Sequence, residues 1–231
     1  MKFIKNLHTA IIIILNLISL VLILSQLFYQ QWLMDTFAHF FTIYFVIFLI
    51  GIIALTILKQ YKSAVIFTPF FIYLIMSIGH LYFGGNKGTS LSKSLKVIAV
   101  NVLSSNQNYQ QLQDFIKKEQ PDILVLQEVT PVWITQSKDD LKNFPYQLEQ
   151  PQNDNFGIAF YSKIPMENIE IEYFNDRKIP SIVTNFEWQN ESITFVATHP
   201  VPPINTTYFD LRNEQFQRLA NYLNPIQFES D

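Results

Sequence analysis

The sequence contains no cysteine and only six glycines among its 231 residues. Without cysteine the chain has no disulfides, no thiol nucleophile and no zinc site of the cysteine type, and oxidising and reducing compartments suit it equally. We also find no glycine-rich phosphate-binding loop and no internal repeat. These absences exclude disulfide-stapled scaffolds, thiol enzymes and P-loop nucleotide hydrolases.

Charged residues are also scarce, at 15% of the chain, and they are unevenly divided. Residues 1–83 contain four lysines and a single acid, Asp35, whereas the remainder carries 12 basic against 18 acidic residues, a net charge of −6. This asymmetry predicts a membrane region followed by an acidic soluble domain. An acidic domain lacks the basic surface that drives binding to a phosphate backbone, so nucleic acid is disfavoured as a partner.

Three long apolar segments, at residues 7–28, 37–58 and 64–83, predict transmembrane helices. Each is close to the roughly 20 residues that cross a bilayer. The first segment has a basic start like a signal peptide, but its apolar core is too long and no small-residue cleavage site follows it. We therefore predict a region of three transmembrane helices over residues 1–83, with the lipid bilayer as its partner.

The distribution of lysines among the connecting segments predicts how these helices are oriented in the membrane. Lys2 and Lys5 precede the first segment, Lys59 and Lys62 lie between the second and third, and the connection between the first two has neither Lys nor Arg. The positive-inside rule then places the N-terminus in the cytoplasm and the chain beyond the third segment outside. Lysines within residues 87–96 argue weakly for the opposite orientation.

The soluble part begins after residues 84–94, a Gly/Ser/Lys stretch that predicts a flexible linker. Apolar strands at 96–102 and 122–126 flank an amphipathic helix that follows Asn108 and ends at Pro121, which predicts a buried parallel strand–helix–strand unit. The other predicted strands are at 144–147, 156–162, 169–174, 182–188 and 192–198, and helices are predicted at 130–138 and at 206–223, the last one ended by Pro225.

Three polar residues, Asn101, Glu128 and His199, each follow an apolar strand. Taken singly, each has an ordinary explanation: an asparagine bonding backbone, a solvated strand end, and a strand-end histidine. Together they suggest a functional site, because α/β folds build their sites at the carboxyl ends of neighbouring parallel strands. A carboxylate beside a carboxamide is a hard oxygen site suited to Mg²⁺ or Mn²⁺, and a nearby histidine can bond to a phosphate oxygen or shuttle a proton there.

The segments KVIAVNV, PDILVLQEV, NFGIAFYSKIP and ITFVATHPVPP, with the RNEQ helix that follows, resemble the endonuclease/exonuclease/phosphatase superfamily over roughly residues 95–223. More narrowly, the chain is similar to the bacterial membrane-anchored subgroup that includes teicoplanin-resistance-type proteins. The resemblance implies a DNase-like four-layer α/β sandwich after the three transmembrane helices. It also implies Mg²⁺- or Mn²⁺-dependent hydrolysis of a phosphate ester, and a multi-pass location in the bacterial cytoplasmic membrane.

The same resemblance implies roles for individual residues. Asn101 would position the metal and the phosphate, Glu128 would be the principal metal ligand, and His199 would stabilise charge developing on the scissile phosphate. Two more residues are candidates for substrate binding. Asn155 could line the pocket or simply form a turn, and Arg212 could meet a phosphate or lie solvated on its helix.

The chain departs from the family in lacking a Gly-Asp-x-Asn motif and a Ser-Asp-His motif. In the family these supply a water-orienting Asp, a phosphate-contacting Asn and a His that works with a buried Asp. We therefore expect residues 95–231 to be the N-terminal part of the domain, from a C-terminally truncated product. We further expect most of the second sheet to be missing, the first sheet to be left uncovered, and the chain to be nearly inactive.

Two functions remain open at this point. One is a membrane-anchored phosphohydrolase or phosphodiesterase acting on a lipid-linked or envelope-derived phosphate ester. The alternative is a membrane-anchored binding or regulatory pseudoenzyme that pairs an open sheet edge with another chain. A third possibility, that the apolar segments carry the function, has little support because they contain no internal acid–base pair.

Overall fold

The computed structural model describes residues 2–83 and 94–227, so the predicted linker at 84–94 lies outside the described residues except for Ser94. The chain divides into two compact units. One contains the N-terminal helices together with residues 203–206, and we call it the helical unit. The other contains the remaining described residues, and we call it the α/β unit.

The helical unit is built from α1 (Lys2–Leu27), α2 (Trp32–Ala38), α3 (Phe41–Ile57) and α4 (Tyr61–Phe83). Helices α1 and α4 are long and apolar enough to cross a membrane. Helices α2 and α3 are bent by 58° at their junction and provide a third crossing only if the bent pair forms one span. Among the described residues the unit therefore has two to three candidate spans, and the predicted middle segment at 37–58 is divided between two helices.

Close packing of α1, α3 and α4 buries a small apolar core in the helical unit. Leu15 and Phe48 lie within it, and Phe45 stacks on Phe71 with ring centroids 5.1 Å apart. A Cβ atom added at Gly51 would lie 3.0 Å from both Cδ atoms of Leu15, so the glycine lets α1 and α3 approach closely.

The α/β unit contains two sheets and three helices. The first sheet has the order β1-β2-β4-β3, with β1 parallel to β2 and the other pairs antiparallel, and the second sheet is the antiparallel β5-β6-β7. The strands are β1 (Val97–Asn101), β2 (Ile123–Gln127), β3 (Tyr146–Gln150), β4 (Ile158–Ser162), β5 (Glu167–Tyr173), β6 (Pro180–Trp188) and β7 (Glu191–Ala197). The helices are α5 (Tyr109–Glu119), α6 (Pro131–Leu141) and α7 (Thr206–Gln227).

Capping residues account for the starts of two of these helices. The Asn108 side chain accepts from the Gln111 amide at the start of α5, and Thr130 accepts from the Trp133 amide ahead of Pro131 at the start of α6. Because β1 and β2 pair in parallel and α5 connects them, the predicted strand–helix–strand unit is confirmed. The prediction that Pro225 ends the last helix is wrong, because α7 continues to Gln227.

Over β2 and β4, both faces of the first sheet are covered. Residues of β2 and β4 alternate between two cores, as strand geometry requires. Leu124 and Tyr161 pack with α5 and α6 on one face, whereas Val125 and Phe160 pack against Ile182 and its neighbours in the second sheet on the other.

The expectation of an uncovered first sheet is thus wrong for β2 and β4, which β5, β6 and β7 cover, whereas Val97 and Ala99 on the same face of β1 are exposed. That most of the second sheet is missing stays a prediction. A complete four-layer sandwich stays a prediction.

Candidate functional site

Parallel pairing of β1 with β2 brings Asn101 and Glu128 together. Asn101 pairs in register with Gln127, the residue before Glu128, so both side chains lie at the same edge of the sheet. The Asn101 amide Nδ2 donates a hydrogen bond of 2.6 Å to Glu128 Oε1. The structure thus places the predicted carboxylate and carboxamide in direct contact, while their roles stay predictions.

Two residues at this pair, Glu128 itself and Leu103 two residues after Asn101, have backbone in the left-handed region. Glu128 and Leu103 each have φ 60°, which costs a non-glycine residue roughly 1 kcal/mol. This geometry lets the Leu103 amide donate to Asn101 Oδ1 at 2.9 Å and the Ser104 amide approach Glu128 Oε2 at 3.4 Å. Because the Leu103 N–H needs an acceptor, Asn101 Oδ1 faces the backbone and Nδ2 faces the carboxylate.

His199 completes the group from the second sheet. It lies two residues beyond the end of β7, and its Nε2 is 3.6 Å from Glu128 Oε1. The side chains are largely buried, with 18% of His199 and 12% of Glu128 exposed. The structure therefore brings together all three polar residues that follow apolar strands, and the group they form spans the edges of both sheets. We call Asn101, Glu128 and His199 the polar triad.

A buried hydrogen-bond network braces the two strand ends, and sequence reasoning missed it. Gln127 Nε2 donates to the Thr198 carbonyl at 2.9 Å, joining the residue before Glu128 to the residue before His199. Thr198 Oγ1 accepts from Gln215 Nε2 at 2.7 Å and contacts Ser181 Oγ at 2.7 Å. Gln215 Oε1 in turn accepts from Asn175 Nδ2 at 2.8 Å. The available signal was Gln215 itself, a polar residue four positions from both Leu211 and Leu219 on α7.

Gly157 lets the segment of residues 152–157 pack closely against the backbone of Val129, the residue after Glu128. A Cβ atom at this position would lie 1.9 Å from the Val129 carbonyl oxygen and 2.6 Å from the Gln152 nitrogen, so only glycine fits. The close approach is held by hydrogen bonds from the Val129 amide to the Gly157 carbonyl and from the Gln152 amide to the Val129 carbonyl. The segment of residues 152–157 therefore packs directly behind Glu128.

The two predicted substrate-binding residues lie in different settings. Asn155 Oδ1 accepts a hydrogen bond from Ser104 Oγ, on the loop that contacts Glu128, so Asn155 does join the rim of the site. Arg212 donates to Asn213 Oδ1 at 3.0 and 3.2 Å and lies over the Phe209 ring. Those contacts of Arg212 are local to α7 and do not connect it to the triad. Both roles stay predictions.

The triad suits a hard divalent cation in its donor chemistry. Within residues 2–83 and 94–227, no group of three or more His, Cys, Asp or Glu side chains is placed to hold a metal ion. Mg²⁺, however, is often held by one or two carboxylates, with waters and substrate phosphates as the other ligands. Glu128 is such a carboxylate, and it faces an amide, a backbone N–H and an imidazole rather than a lysine or arginine. The residues present therefore fit Mg²⁺ or Mn²⁺.

Two facing sheets with a carboxylate, a carboxamide and a histidine at their common edge thus form the α/β domain that holds the candidate site. The chain belongs to the Endonuclease/Exonuclease/phosphatase family, whose sequence profile matches residues 98–230. No curated protein matches the chain.

Solved structures support the fold. The selenomethionine form of TDP2 from Caenorhabditis elegans has a TM-score of 0.51 at 16% identity, covering 78% of this chain and 58% of its own. Truncated Caenorhabditis elegans TDP2 has a TM-score of 0.50 at 15% identity, covering 58% of this chain and 57% of its own. TDP2 from C. elegans has a TM-score of 0.50 at 16% identity, covering 78% of this chain and 57% of its own. The chain thus spans less than three fifths of the length of these structures.

Proposed function

We propose that this protein is a membrane-anchored, divalent-metal-dependent phosphohydrolase or phosphodiesterase. One observation supports the proposal above the others: Glu128 lies 2.6 Å from Asn101 and 3.6 Å from His199 in a chain of the Endonuclease/Exonuclease/phosphatase family. Helices α1 and α4, together with the bent pair of α2 and α3 as a third span, are the proposed anchors. The positive charges before α1 and between α3 and α4 favour an extracytoplasmic α/β unit on a bacterial cytoplasmic membrane.

The proposed roles follow from the contacts of each side chain. Glu128 supplies the negative charge that holds Mg²⁺ or Mn²⁺, and Asn101 orients that carboxylate while a second lone pair on its Oδ1 stays available. The bound cation would polarise the phosphate and offset its developing charge. His199, largely buried beside the carboxylate, is placed to donate through Nε2 to a phosphate oxygen, which a preorganised donor stabilises as charge builds.

The proposed substrate is a phosphate ester that is lipid-linked or derived from the cell envelope. The residues beyond 83 carry a net charge of −6, so they do not attract a polyanionic nucleic acid. Anchoring by the apolar helices would hold the α/β unit close to lipid-borne substrates and raise their effective concentration.

We further propose that the chain as given binds the metal and phosphate but hydrolyses slowly or not at all. It spans less than three fifths of the solved structures that it resembles, and its sequence contains neither the Gly-Asp-x-Asn nor the Ser-Asp-His motif. The residues that orient the attacking water in the family have no counterpart here. The triad then represents the part of the site that binds metal and phosphate.

A non-catalytic binding or regulatory role is the second candidate. The observation that favours it is the position of β1, an edge strand of the first sheet on which Val97 is 44% exposed. Such an edge can pair with a strand of another chain. A stable, monodisperse complex with a second protein, together with no metal binding at Glu128, would support this role over the enzyme.

Metal binding tests the enzyme proposal directly. We expect the detergent-solubilised chain to bind Mn²⁺, followed by electron paramagnetic resonance. Glu128→Ala should weaken that binding by roughly a hundredfold or more, because loss of a residue that only orients a metal ligand already costs about 10–100-fold. The matched control is Glu191→Ala at the exposed start of β7, which should bind normally. Equal Mn²⁺ affinity in the Glu128→Ala variant would disprove the proposed metal site.

Hydrolysis of bis-p-nitrophenyl phosphate with Mn²⁺ tests the activity of the chain as given. We expect a rate at the background level. A Mn²⁺-dependent rate that is lost in Glu128→Ala would show that the triad alone supports turnover.

A further inference from the structure

Arg177 lies in the connection between β5 and β6, close to two aromatic rings. Its guanidinium carbon is 5.0 Å from the centroid of the Phe156 ring and 5.3 Å from that of the Tyr208 ring. Its Nη1 also donates to the Tyr208 hydroxyl at 2.8 Å. These contacts hold in place a side chain that is otherwise exposed, and the guanidinium N–H groups other than the one bonded to Tyr208 remain as donors.

One of the two rings also contacts the polar triad. Phe156, which is 8% exposed, has its ring centroid 6.3 Å from that of His199. A single aromatic side chain therefore separates the guanidinium from the imidazole. The residue before Phe156 is Asn155, whose amide is bonded to Ser104 beside Glu128. Arg177 is thus connected to the triad through Phe156, on the His199 side.

Arg177 also lacks a carboxylate partner among the residues that the structure describes. Its sequence neighbour Asp176 is engaged elsewhere, by Arg218 at 2.6 Å, and Arg218 pairs with Glu214 as well. In an acidic unit, a rigidly held cation without a counter-ion beside a proposed phosphate site is suited to bind an anion. A guanidinium matches the planar, two-oxygen geometry of a phosphate.

We infer that Arg177 binds a second phosphate group of the substrate, next to the phosphate that contacts His199. The substrate class is then a diphosphate ester rather than a monophosphate ester of a neutral alcohol. This inference rests on the proposed function, because the first phosphate must occupy the triad for the second to reach Arg177. The competing explanation is structural: the guanidinium could serve only to tie the β5–β6 connection to α7.

Paired ligands separate these explanations. Phenyl phosphate and phenyl diphosphate are titrated by calorimetry into the full chain in dodecyl maltoside at one fixed Mg²⁺ concentration. The variants are Arg177→Gln, Arg177→Lys and the control Arg218→Gln, which removes a similarly exposed arginine that already has carboxylate partners. Glu128→Ala reports on the triad.

We expect phenyl diphosphate to bind about tenfold more tightly than phenyl phosphate, the ratio that one charge-assisted contact supports. Arg177→Gln should abolish this preference without changing the affinity for phenyl phosphate. Arg177→Lys should keep part of the preference because it keeps the charge, and Arg218→Gln should keep all of it.

Two results would overturn the inference while sparing the proposed function. One is an unchanged preference in Arg177→Gln, and the other is an equal loss of affinity for both ligands, which is what a purely structural clamp predicts. If phenyl phosphate binding does not depend on Mg²⁺ and Glu128, the proposed function fails first and the inference fails with it.

Discussion

The helical unit and the α/β unit arrange their apolar side chains in opposite ways. In the helical unit the large apolar residues Leu17, Ile50 and Val65 are more than half exposed. In the α/β unit the corresponding residues of β2 and β4 are at most 3% exposed. A surface of exposed aliphatic residues is costly in water and suited to lipid, so the helices of the helical unit are of the kind that can span a membrane.

Polar side chains differ between the units in the same sense. In the helical unit they mostly bond to a carbonyl of their own helix, three or four residues back, as Asn16, Ser19 and Thr56 do. In the α/β unit buried polar groups bond across elements, as Gln215 does to Asn175 and Thr198. Bonds within one helix satisfy its polar side chains without water or a neighbouring element. The bonds between elements, in contrast, make the sheets depend on one another.

The largest expected effect comes from Gly157→Ala in the α/β unit. The added methyl would meet the Val129 backbone oxygen, and backbone cannot move as cheaply as a side chain. We expect a loss of roughly 3 kcal/mol or more in unfolding free energy, as for other severe overpacking. Urea unfolding followed by tryptophan fluorescence measures it. In contrast, Gly51→Ala in the helical unit meets only flexible Leu15 methyl groups and should cost clearly less.

A lysine scan of exposed apolar sites tests whether α1 spans a membrane. Leu17→Lys, in the middle of α1, should impair membrane insertion by about 3 kcal/mol, because a charge at the centre of a spanning helix is costly. Val132→Lys, at a similarly exposed position of α6, should change little. The measurement is the fraction of each variant that remains in carbonate-washed membranes. Equal retention of both variants would remove the case for α1 as an anchor.

Gln215→Leu tests the dependence on cross-element bonds. The change leaves the Asn175 amide without its acceptor and the Thr198 hydroxyl without its donor, and each unsatisfied buried group costs about 1–3 kcal/mol. We expect a loss of about 2 kcal/mol in urea unfolding, within that range. The matched control is Gln217→Leu on the exposed face of the same helix, where Gln217 bonds only to Asn221. A similar loss in both variants would show that the network adds nothing.

Alkaline pH should destabilise the α/β unit through Tyr161. Burial, together with its hydrogen bond to Glu149 and the charge of that residue, raises the pKa of Tyr161 well above its usual 10. The raised pKa means that stability is complete below pH 10 and falls as the pH rises, by up to about 1.4 kcal/mol per unit for one group. Comparing the pH dependence of urea unfolding with that of Tyr161→Phe isolates the effect. Parallel curves would contradict the prediction.

The smallest effect is expected from serine deletions in the helical unit. Ser19→Ala removes only a bond to the Leu15 carbonyl of the same helix, a carbonyl that already accepts within the helical ladder, so we expect a change below about 0.5 kcal/mol. Ser181→Ala removes the contact with Thr198 in the buried network and should cost about 1 kcal/mol. Thermal unfolding in detergent ranks the two, and a reversed order would undermine the comparison between units.

Much of the fold could be predicted from the sequence because local patterns determine it. The apolar runs and the helix starts after Asn108 and at Thr130 all act through neighbouring residues. The junction between α2 and α3 was not predictable, since residues 37–58 form one apolar segment with only His39 and a few Thr and Tyr residues in it. The cover of β2 and β4 was not predictable either, because the absence of family motifs does not reveal how three strands pack against a neighbouring sheet.

The proximity of Asn101, Glu128 and His199 was predictable, because each residue breaks an apolar pattern. Contacts between distant segments were not predictable. Arg177 follows an aspartate in a polar connection, and nothing nearby in the sequence indicates the rings of Phe156 and Tyr208 close to it. The roles of Asn155 and Arg212 stay predictions.

The hydrogen bond from Gln127 to Thr198 has a mechanical consequence. Glu128 belongs to one sheet and His199 to the other, so any shear of the sheets changes the distance between their side chains, and this bond sits one residue upstream of each. The spacing of the triad therefore depends on how the two sheets pack. Substitutions of Phe160 or Phe186, which lie in the core between the sheets, should change the distance between the Glu128 and His199 side chains.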